Sequence, residues 1–438
     1  MFGSFTDAVR FLESHIPTPN KKHPGKFGLL RMKYLISLFG NPQFAYQTIH
    51  IGGTSGKGST ATMIASILGT KYKVGLCTSP HLLKVNERIK INGKDIPDDE
   101  FISVLTEMKP FIYQVEKSSF GKPTYFEILT AMAFLYFKQK DVDYAVIEVG
   151  MGGRFDGTNV VRSDVAVLTN VGLDHTEVLG NTVEEIAKDK SGIIKKGMQV
   201  VSGAKQQSVV DIIEATGKRQ QARVSLLGKD FSYKIRKLDI EGSIFDYHGD
   251  SILKNLKITM LGRHQIENAC LAIRVIELIN PTIITGKDIR KGLLVAYIPA
   301  RLELVSKRPL IILDGAHNED KMEAVVSAMN AVFPKKRIVA IVAIKQDKNA
   351  RAILQKLVKV ADVFIFTQFT ITHDVGKIMS FPCKNLGEFA RKIDLKKEII
   401  IERQPKAAIK KAYKMVGADG LILITGSLYL VGQIVGGV

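Results

Sequence analysis

Short apolar runs rich in Val, Ile and Leu alternate with longer amphipathic stretches along most of this 438-residue chain. The runs have the length of buried strands, and the stretches between them, such as residues 58–68 and 125–138, have the length of crossover helices. Helices that connect strands in this way bring them together as a parallel sheet covered on both faces. The pattern therefore predicts an α/β protein. The predicted strands are residues 48–51, 72–77, 144–149, 165–169, 200–202, 310–313, 337–344, 363–367, 399–401 and 421–425.

Two changes in the pattern divide the chain. Residues 230–259 alternate polar and apolar side chains and predict an antiparallel meander at a sheet edge. Near residues 296–301 the pattern restarts, and a second α/β series follows. A chain of this length is expected to hold two or three domains. We predict an N-terminal domain over 1–297, with a phosphate loop, a mostly parallel sheet and a small antiparallel edge. A smaller Rossmann-like α/β domain is predicted over 298–438.

Composition narrows the class of protein. The cysteines are Cys77, Cys270 and Cys383, without a CxxC pair, which favours a reducing compartment over a disulfide framework or a Cys₄ metal site. No basic segment followed by an apolar run opens the sequence, so no signal peptide is expected. Polar residues interrupt the apolar tail, residues 421–438, which therefore predicts a strand and a helix rather than a membrane span. We expect a cytoplasmic protein without a membrane partner.

The formal net charge of +19 raises the question of nucleic-acid binding. The basic residues are spread along the chain, apart from short clusters at 195–196 and 335–337. They are not interleaved with aromatic residues, and no zinc-finger or RNA-recognition pattern occurs. We therefore predict no nucleic-acid partner. Attraction of small anionic substrates or a lysine-rich composition explains the charge.

A glycine-rich segment follows the first predicted strand and precedes a predicted helix. Glycines let the backbone approach a phosphate with its N–H groups pointing inward, and the helix N-terminus adds partial positive charge. A lysine supplies a full charge, and a serine hydroxyl can bind Mg²⁺. The spacing is one residue short of the usual phosphate loop, and Gly58 separates Lys57 from Ser59. The order of elements predicts ATP binding by Gly53, Thr54, Ser55, Gly56, Lys57, Gly58 and Ser59.

Polar residues follow other predicted strands at the same sheet edge. Glu148 ends strand 144–149, and His175 comes shortly after strand 165–169. Either could be structural, as an ion-pair partner or a packed histidine. Together with Ser59 they form a set of hard oxygen donors and one imidazole that suits Mg²⁺ or Mn²⁺ beside phosphates. Asp314 likewise follows a predicted strand, residues 310–313, in the second half of the chain. A role as a helix cap is an equal alternative for Asp314.

Ten segments occur in the order found in the folate-ligase branch of the Mur ligase superfamily, which includes the folylpolyglutamate synthases and dihydrofolate synthases. The chain resembles this family over essentially its whole length, and the loop spelling GKGS is similar to that branch. The segments are GLLRMKYLISLFGNPQ (28–43), TSPHL (78–82), PTYFE (123–127), EVGMGGRFDGTN (148–159), TNVGLDHTEVLG (169–180), AKDKSGII (187–194), GRHQIENA (262–269), ARLE (300–303), DGAHN (314–318) and ITGSLYL (424–430).

The resemblance implies roles for single residues. Further ATP contacts would be Asn268, Arg301 and Asp314. Catalytic roles fall to Lys57, Lys190 and His317, with His317 near the glutamate. Two Mg²⁺ sites are expected. Lys190 is expected to be carbamylated, although without the resemblance it would be interpreted as a solvated lysine on a helix. Carbamylation by CO₂ requires the neutral amine and therefore favours a lysine with a lowered pKa. The implied metal ligands are Ser59, Ser79, Glu148, His175 and Lys190.

The resemblance also implies the substrates ATP, L-glutamate and tetrahydrofolate or dihydropteroate, a monomeric enzyme, and an acyl phosphate intermediate. For Tyr125 and Phe126, helix core is an equal alternative to a pterin contact. Leu30 and Gly157 depart from the family pattern near the pterin end, so the choice between the two pterins stays open, with both expected as substrates. The implied folate contacts are Phe27, Gly28, Leu29, Tyr125, Phe126, Glu127, Arg154, Phe155 and Asp156.

Three other readings share parts of these features. A P-loop kinase or NTPase would share the loop but have conventional spacing and no need for glutamate. A basic, ATP-dependent nucleic-acid-binding protein would bind RNA or DNA with strong salt dependence. A peptidoglycan Mur ligase would lack PTYFE followed by GGRFDGTN.

Overall fold

The computed structural model describes residues 2–17, 25–279, 283–373, 376–417 and 419–436. The first half contains an eight-stranded sheet with β1 near its centre, in the order β4-β3-β2-β5-β1-β6-β7-β8. Six strands run parallel, and β3 and β4 add an antiparallel edge. This architecture confirms the predicted fold class. The strands are β1 (Gln47–Gly52), β2 (Val74–Cys77), β3 (Ile89–Ile91), β4 (Lys94–Asp95), β5 (Tyr144–Glu148), β6 (Val165–Leu168), β7 (Gln199–Ser202) and β8 (Arg223–Leu226).

The side chains of each strand point alternately to the two faces of the sheet. Both faces are apolar, and helices therefore cover both of them. Ile49 and Ile51 of β1 belong to one core, and Ala145 and Ile147 of β5 belong to the core on the other face. The helices of this half are α1 (Phe5–Glu13), α2 (Gly25–Ser37), α3 (Lys57–Leu68), α4 (Asp98–Glu116), α5 (Tyr125–Gln139), α6 (Thr176–Leu179), α7 (Val183–Lys190), α8 (Gln207–Arg219), α9 (Arg263–Ile279) and α10 (Gly286–Val295).

The polar, alternating segment forms β9 (Ser232–Asp239), β10 (Gly242–His248) and β11 (Ile252–Ile258). These strands are antiparallel, as predicted, but they make a separate three-stranded sheet instead of an edge of the large one. The prediction of a sheet edge was wrong because this sheet packs its apolar face into the core of α3 and α9, through residues such as Phe245 and Tyr247. Alternation reveals a half-buried strand but not which surface buries it.

The second half contains a six-stranded sheet in the order β12-β13-β19-β14-β15-β18, parallel except for β12, and a short hairpin of β16 and β17. Its strands are β12 (Glu303–Lys307), β13 (Leu310–Leu313), β14 (Ile338–Val342), β15 (Val363–Phe366), β16 (Thr370–His373), β17 (Gly376–Met379), β18 (Glu398–Ile401) and β19 (Leu421–Thr425). Its helices are α11 (Glu319–Val332), α12 (Ala350–Leu357), α13 (Cys383–Ile393), α14 (Pro405–Met415) and α15 (Leu428–Val435).

The apolar tail folds as the strand β19 followed by the helix α15, which confirms the strand and helix predicted there. Within the described ranges, no helix has the length and apolar character needed to cross a membrane. The domain boundary at residue 298 stays a prediction. It falls between α10 and β12, where the first series of elements ends and the second begins.

Candidate active site

A cavity of about 750 Å³ opens at the carboxyl edge of the large sheet and is closed on the other side by the second half of the chain. The carboxyl ends of β1, β5 and β6 lie together there, since Ile51 is in register with Glu148 and Gly52 with Leu168. In α/β sheets this edge is where ligands bind. Every predicted ATP, metal and catalytic residue lines the cavity: Gly53, Thr54, Ser55, Gly56, Lys57, Gly58, Ser59, Ser79, Glu148, His175, Lys190, Asn268, Arg301, Asp314 and His317.

The phosphate loop, residues 52–59, is held in shape by its neighbours. The Thr54 N–H donates to Asn170 O at 3.0 Å, and the Ser55 N–H donates to the Asn170 side chain at 2.8 Å. Gly53 and Gly56 have φ angles of 134° and 83°. A Cβ on Gly53 would lie 2.0 Å from Thr169 Oγ1, and one on Gly56 would lie 2.4 Å from Asn268 Oδ1. The loop therefore requires glycine at both positions.

Glu148 and Lys57 face each other beside this loop. Glu148 Oε1 lies 3.9 Å from Lys57 Nζ, and Glu148 Oε2 accepts the Ser79 N–H at 3.0 Å. Burial raises the pKa of Glu148, and Lys57 opposes that shift. Burial also lowers the pKa of His175, which has a left-handed φ of 51° just after β6. The structure thus brings Glu148, Ser79 and His175 to the rim of one cavity, as the sequence predicts.

Lys190 is buried at the end of α7, with 5% of its surface exposed. Its Nζ donates to Gly53 O at 3.0 Å, so the side chain reaches under the phosphate loop. Burial, with repulsion from Lys57, lowers the pKa of Lys190 to about 7. The solvated-lysine interpretation is therefore wrong, because the amine is buried against the phosphate loop and is repelled by Lys57.

Asp314 follows β13 at the carboxyl edge of the second sheet. Its carboxylate accepts the Leu302 N–H at 2.9 Å and the Ala316 N–H at 2.7 Å. The helix-cap alternative is wrong, since α11 is capped by the side chain of Asn318. Burial raises the pKa of Asp314, and Arg301 opposes that shift. Asp314 thus braces the strand end and faces the cavity with Arg301.

His317 lies between two hydrogen bonds in the same wall. Its Nδ1 donates to Gly315 O at 2.8 Å, so its Nε2 is the acceptor for the ammonium of Lys321 at 3.0 Å. Burial and the charge of Lys321 hold the pKa of His317 well below its usual range. The imidazole is therefore neutral, with its proton on Nδ1.

Known proteins provide the comparison. The model of the Mur ligase middle domain matches residues 51–276, and that of the dihydrofolate synthetase C-terminal domain matches residues 300–436. A dihydrofolate synthase/folylpolyglutamate synthase of Bacillus subtilis is 34% identical over 99% of both chains. The chain belongs to the folylpolyglutamate synthase and dihydrofolate synthase family. It is therefore a ligase with a Mur-type ATP domain.

Solved structures agree with this ligase along its length. A Mycobacterium tuberculosis folylpolyglutamate synthase complexed with ADP superposes with a TM-score of 0.90 at 28% identity, covering 99% of this chain and 97% of that one. A folylpolyglutamate synthase complex with AMPPCP and folate superposes with a TM-score of 0.85 at 32% identity, covering 99% and 100%.

The predicted folate contacts lie outside the main cavity of the ligase, on α2, the start of α5 and residues 154–156. Tyr125 is buried at the start of α5 and lines a second cavity of about 350 Å³ together with His81. The exposed Phe27 lies 5.9 Å from the Arg31 guanidinium. Gly28 is buried and Leu29 half-buried on the same helix. Their roles as folate contacts stay predictions.

Two predicted folate contacts are already engaged with protein groups. Glu127 accepts two bonds from Arg31, at 2.8 and 2.9 Å, and a third from the Thr124 N–H at 2.7 Å. Asp156 accepts the Met151 and Thr158 N–H groups at 2.8 and 2.9 Å. Both carboxylates fasten the backbone here, and these bonds do not support the predicted pairing with pterin N–H groups.

The remaining predicted folate contacts are Phe126, Arg154 and Phe155. Phe126 lies against Gly150, in the loop that follows β5. The Arg154 guanidinium stacks over the Phe155 ring at 5.0 Å and leaves the Arg154 side chain exposed. A Cβ on Gly157 would lie within 3.9 Å of Phe126 and Glu127 of α5 and of Met32 of α2, so the segments that the family resemblance links to folate are neighbours.

Sequence reasoning missed Asp174, Lys321 and Lys348, and the contact between Asp174 and Lys348 joins the two halves of the ligase. Asp174 accepts Asn318 Nδ2 at 3.0 Å and Lys348 Nζ at 2.9 Å. Lys321 completes this part of the cavity wall. Burial alone would raise the pKa of Asp174, but the charges of His175 and Lys321 lower it. The signal that the sequence offered for Asp174 is its position next to His175, a predicted metal ligand. Its partner Lys348 lies in another part of the sequence.

Proposed function

We propose that this cavity is the active site of an ATP-dependent ligase that joins the amine of L-glutamate to a folate carboxylate. The observation that carries the proposal is the placement of one phosphate loop opposite Arg301, Asp314 and His317, in a chain that matches a ligase family from end to end. The wall of the first half holds the nucleotide, and the wall of the second half closes over the groups that react.

In the first step a folate carboxylate oxygen bonds to the γ-phosphorus of ATP while the bond to the bridging oxygen of ADP breaks. Negative charge spreads over the transferring oxygens, and catalysis consists of placing positive charge around them. The loop N–H groups, Lys57 and Arg301 supply that charge, and Asn268 contacts the loop at Gly56. The product is an acyl phosphate.

The residues present fit Mg²⁺. Among the described residues no three His, Cys, Asp or Glu side chains cluster as a metal site. Mg²⁺ does not need such a cluster, because it binds one or two carboxylates and fills its shell with water and phosphate oxygens. Glu148 is a buried carboxylate facing the cavity, and Ser59, Ser79 and His175 complete the donors. Bound Mg²⁺ would neutralise phosphate charge; two such sites are part of the proposal.

Carbamylation of Lys190 is also part of the proposal. Burial lowers the pKa of Lys190 to about 7, so its neutral amine is present in quantity near neutral pH. An ordinary lysine is almost entirely protonated there. The neutral amine attacks CO₂ and loses a proton to give a carbamate. A negative group here would lie beside Lys57 and could add an oxygen donor near Glu148.

In the second step the glutamate nitrogen bonds to the acyl carbon, the carbon–oxygen bond to phosphate breaks, and phosphate leaves. The ammonium of glutamate must first lose a proton. His317 is neutral, and its Nε2 lone pair faces the cavity side occupied by Lys321. His317 can accept this proton once Lys321 turns to another partner.

Both reduced folates and dihydropteroate are proposed substrates. The B. subtilis relative carries both activities in its name. Leu30, which is 39% exposed on α2, and Gly157, near Met32 and Phe126, leave room at the proposed pterin end. The ratio of kcat/KM for the two pterins decides this point. A ratio beyond about 10⁴, or roughly 5.5 kcal/mol, would mean a single activity.

We further propose a monomeric, cytoplasmic enzyme without a nucleic-acid partner. The three cysteines are free and buried, which is consistent with a reducing compartment. The net charge of +19 then attracts ATP, glutamate and folate, all of which are anions.

An omission experiment tests the proposed function. Purified protein is incubated with ATP, Mg²⁺, L-glutamate and tetrahydrofolate, and ADP and the glutamylated product are followed together. We expect product only when all four are present. Equal phosphate release without glutamate and without any pterin would show that the protein is an NTPase or a kinase instead.

A further inference from the structure

The first turn of α11 brings into the cleft an ammonium to which the reaction described above assigns no partner once it leaves His317. Lys321 is the third residue of α11, and its Nζ donates to His317 Nε2 at 3.0 Å. A lysine is unfavourable near a helix N-terminus, because the helix dipole is positive there. The stability of the helix therefore does not explain this residue.

Among the described residues, Lys321 also has no acidic partner. Its side-chain hydrogen bond goes to His317, and no ion pair within 4.0 Å includes it. Burial lowers the pKa of Lys321 to about 7; Asp174 opposes this shift, and Lys57 and Arg301 add to it. Arg301 is likewise without an ion pair among those residues and donates to Ala300 O at 3.2 Å. Two basic side chains of one wall thus line the cavity without an ion pair within 4.0 Å among the described residues, which favours an anionic ligand there.

The neighbours of Lys321 indicate which anion. The lysine lines the same cavity as Lys57 of the phosphate loop and as Glu148 beside it. None of the predicted folate contacts lines this cavity. The ammonium therefore faces the phosphate end of the cleft, where the γ-phosphoryl group is transferred.

We propose that Lys321 is a further phosphate-binding cation beside Lys57 and Arg301, which contacts the γ-phosphoryl group from the C-terminal side while Lys57 contacts it from the N-terminal side. This proposal rests on the proposed function. Lys321 forms and breaks no covalent bond. Its ammonium leaves His317 for the phosphoryl oxygens, which stabilises their charge during transfer and frees His317 Nε2 for the glutamate proton. Phosphoryl transfer and activation of the amine are thereby linked through one side chain.

The test compares Lys321→Met with the wild-type enzyme in two assays. The first is steady-state turnover, and the second is positional isotope exchange in ATP labelled at the β,γ-bridge, which reports acyl phosphate formation without glutamate. We expect kcat and the exchange rate to fall together by about 100-fold, the size of losing one charge-stabilising donor. The KM for glutamate should change less than about threefold, as expected for a group that acts on the transition state.

Lys384→Met is the matched control, because Lys384 is exposed in the first turn of α13 and does not line the cavity. It should behave as wild type. Lys321→Arg keeps the charge and should lose less than about tenfold in kcat, a change below 1.4 kcal/mol. A loss as large as that of Lys321→Met would overturn the charge role.

Other outcomes would also overturn the proposal. A tenfold or larger rise in the KM for glutamate with unchanged isotope exchange would place Lys321 on the glutamate carboxylate. Unchanged kinetics would show that it has no role in the reaction. If Lys321→Met does not fold, Lys321→Gln is used to compare the affinities for a non-hydrolysable ATP analogue and for ADP. The proposal expects the preference for the triphosphate to drop. An inactive wild-type enzyme would instead refute the proposed function itself.

Discussion

The two walls of the cleft are built in different ways. The N-terminal wall is a backbone structure, in which the phosphate loop is fixed by Asn170 and by the close approach of Asn268 at Gly56. The C-terminal wall depends on contacts between side chains, His317 with Lys321 within the wall and Lys348 with Asp174 of the opposite wall. Backbone structures require particular residues in sequence order, whereas side-chain contacts can come from any part of the chain. This difference explains which wall was predictable.

The largest effect is expected at the N-terminal wall. Lys57→Ala should lower kcat by about 10³-fold, because it removes the loop charge that faces the transferring phosphoryl group. The fold should be unaffected, since the ion pair that Lys57 makes among the described residues is a 3.9 Å contact with Glu148. Turnover and circular dichroism are measured together. Lys71→Ala, beyond the other end of α3, is the control. Retention of more than about a tenth of kcat would contradict this role, since the barrier would then change by less than 1.4 kcal/mol.

Lys190 tests whether the same wall carries a modified residue. Lys190→Ala should lose about 100-fold in activity and recover part of it with a small added carboxylate, as expected for loss of a charged group in the site. Lys188→Ala, exposed on the same helix, is the control and should stay active. Independently of activity, ¹³C NMR of the wild-type enzyme in ¹³CO₂ should show a carbamate signal that is absent in Lys190→Ala.

The pH dependence of this signal follows from the pKa of about 7 for Lys190. The neutral amine is the reactive form, so the carbamate should be lost as the pH falls below 7 and should approach its maximum above pH 8 at constant dissolved CO₂. A signal that first appears near pH 10 would show that Lys190 has an ordinary pKa, and its absence throughout would remove the modification.

The buried pair of Arg31 and Glu127 separates structural from substrate-binding roles. The Arg31 and Glu127 side chains are 9% and 5% exposed, so this ion pair is almost entirely shielded from solvent. Arg31→Met leaves the Glu127 charge buried without its partner and should cost about 3–5 kcal/mol in the free energy of unfolding. Denaturant unfolding measures this cost. A stable Arg31→Met with a raised KM for folate would instead show that Glu127 binds the pterin.

The smallest effect concerns the contact between the walls. Asp174 and Lys348 expose 11% and 13% of their side chains. A double-mutant cycle of Asp174→Asn and Lys348→Met should give a coupling of about 1–3 kcal/mol in unfolding, as found for contacting residues. The equivalent cycle at Lys307 and Glu241, which are largely exposed, is the control and should give a coupling near zero. Strict additivity at Asp174 and Lys348 would mean that they do not join the walls.

Local patterns in the sequence were not sufficient for β3, β4 and β8 of the large sheet, but they were sufficient for β1, β2, β5, β6 and β7, for the phosphate loop and for the positions of Glu148 and His175. Each of these depends on residues that are adjacent along the chain or on strands whose carboxyl ends must meet. Lys348 could not be paired with Asp174, because 174 residues separate them. Lys321 is close to His317, but a lysine in a first helical turn carries no pattern that distinguishes a cleft from solvent. The three-stranded sheet was placed wrongly for the same reason, since its partner surface is not adjacent in sequence.

The central claim is that both walls act on one transfer, from ATP to a folate carboxylate and then to glutamate. Transfer of oxygen tests it most directly. Tetrahydrofolate labelled with ¹⁸O in its reacting carboxylate is converted with ATP and L-glutamate, and the released phosphate is analysed by mass spectrometry. An acyl phosphate intermediate predicts one ¹⁸O in phosphate for each amide formed. Unlabelled phosphate beside labelled product would show that ATP is cleaved without activating the folate, which would contradict the account.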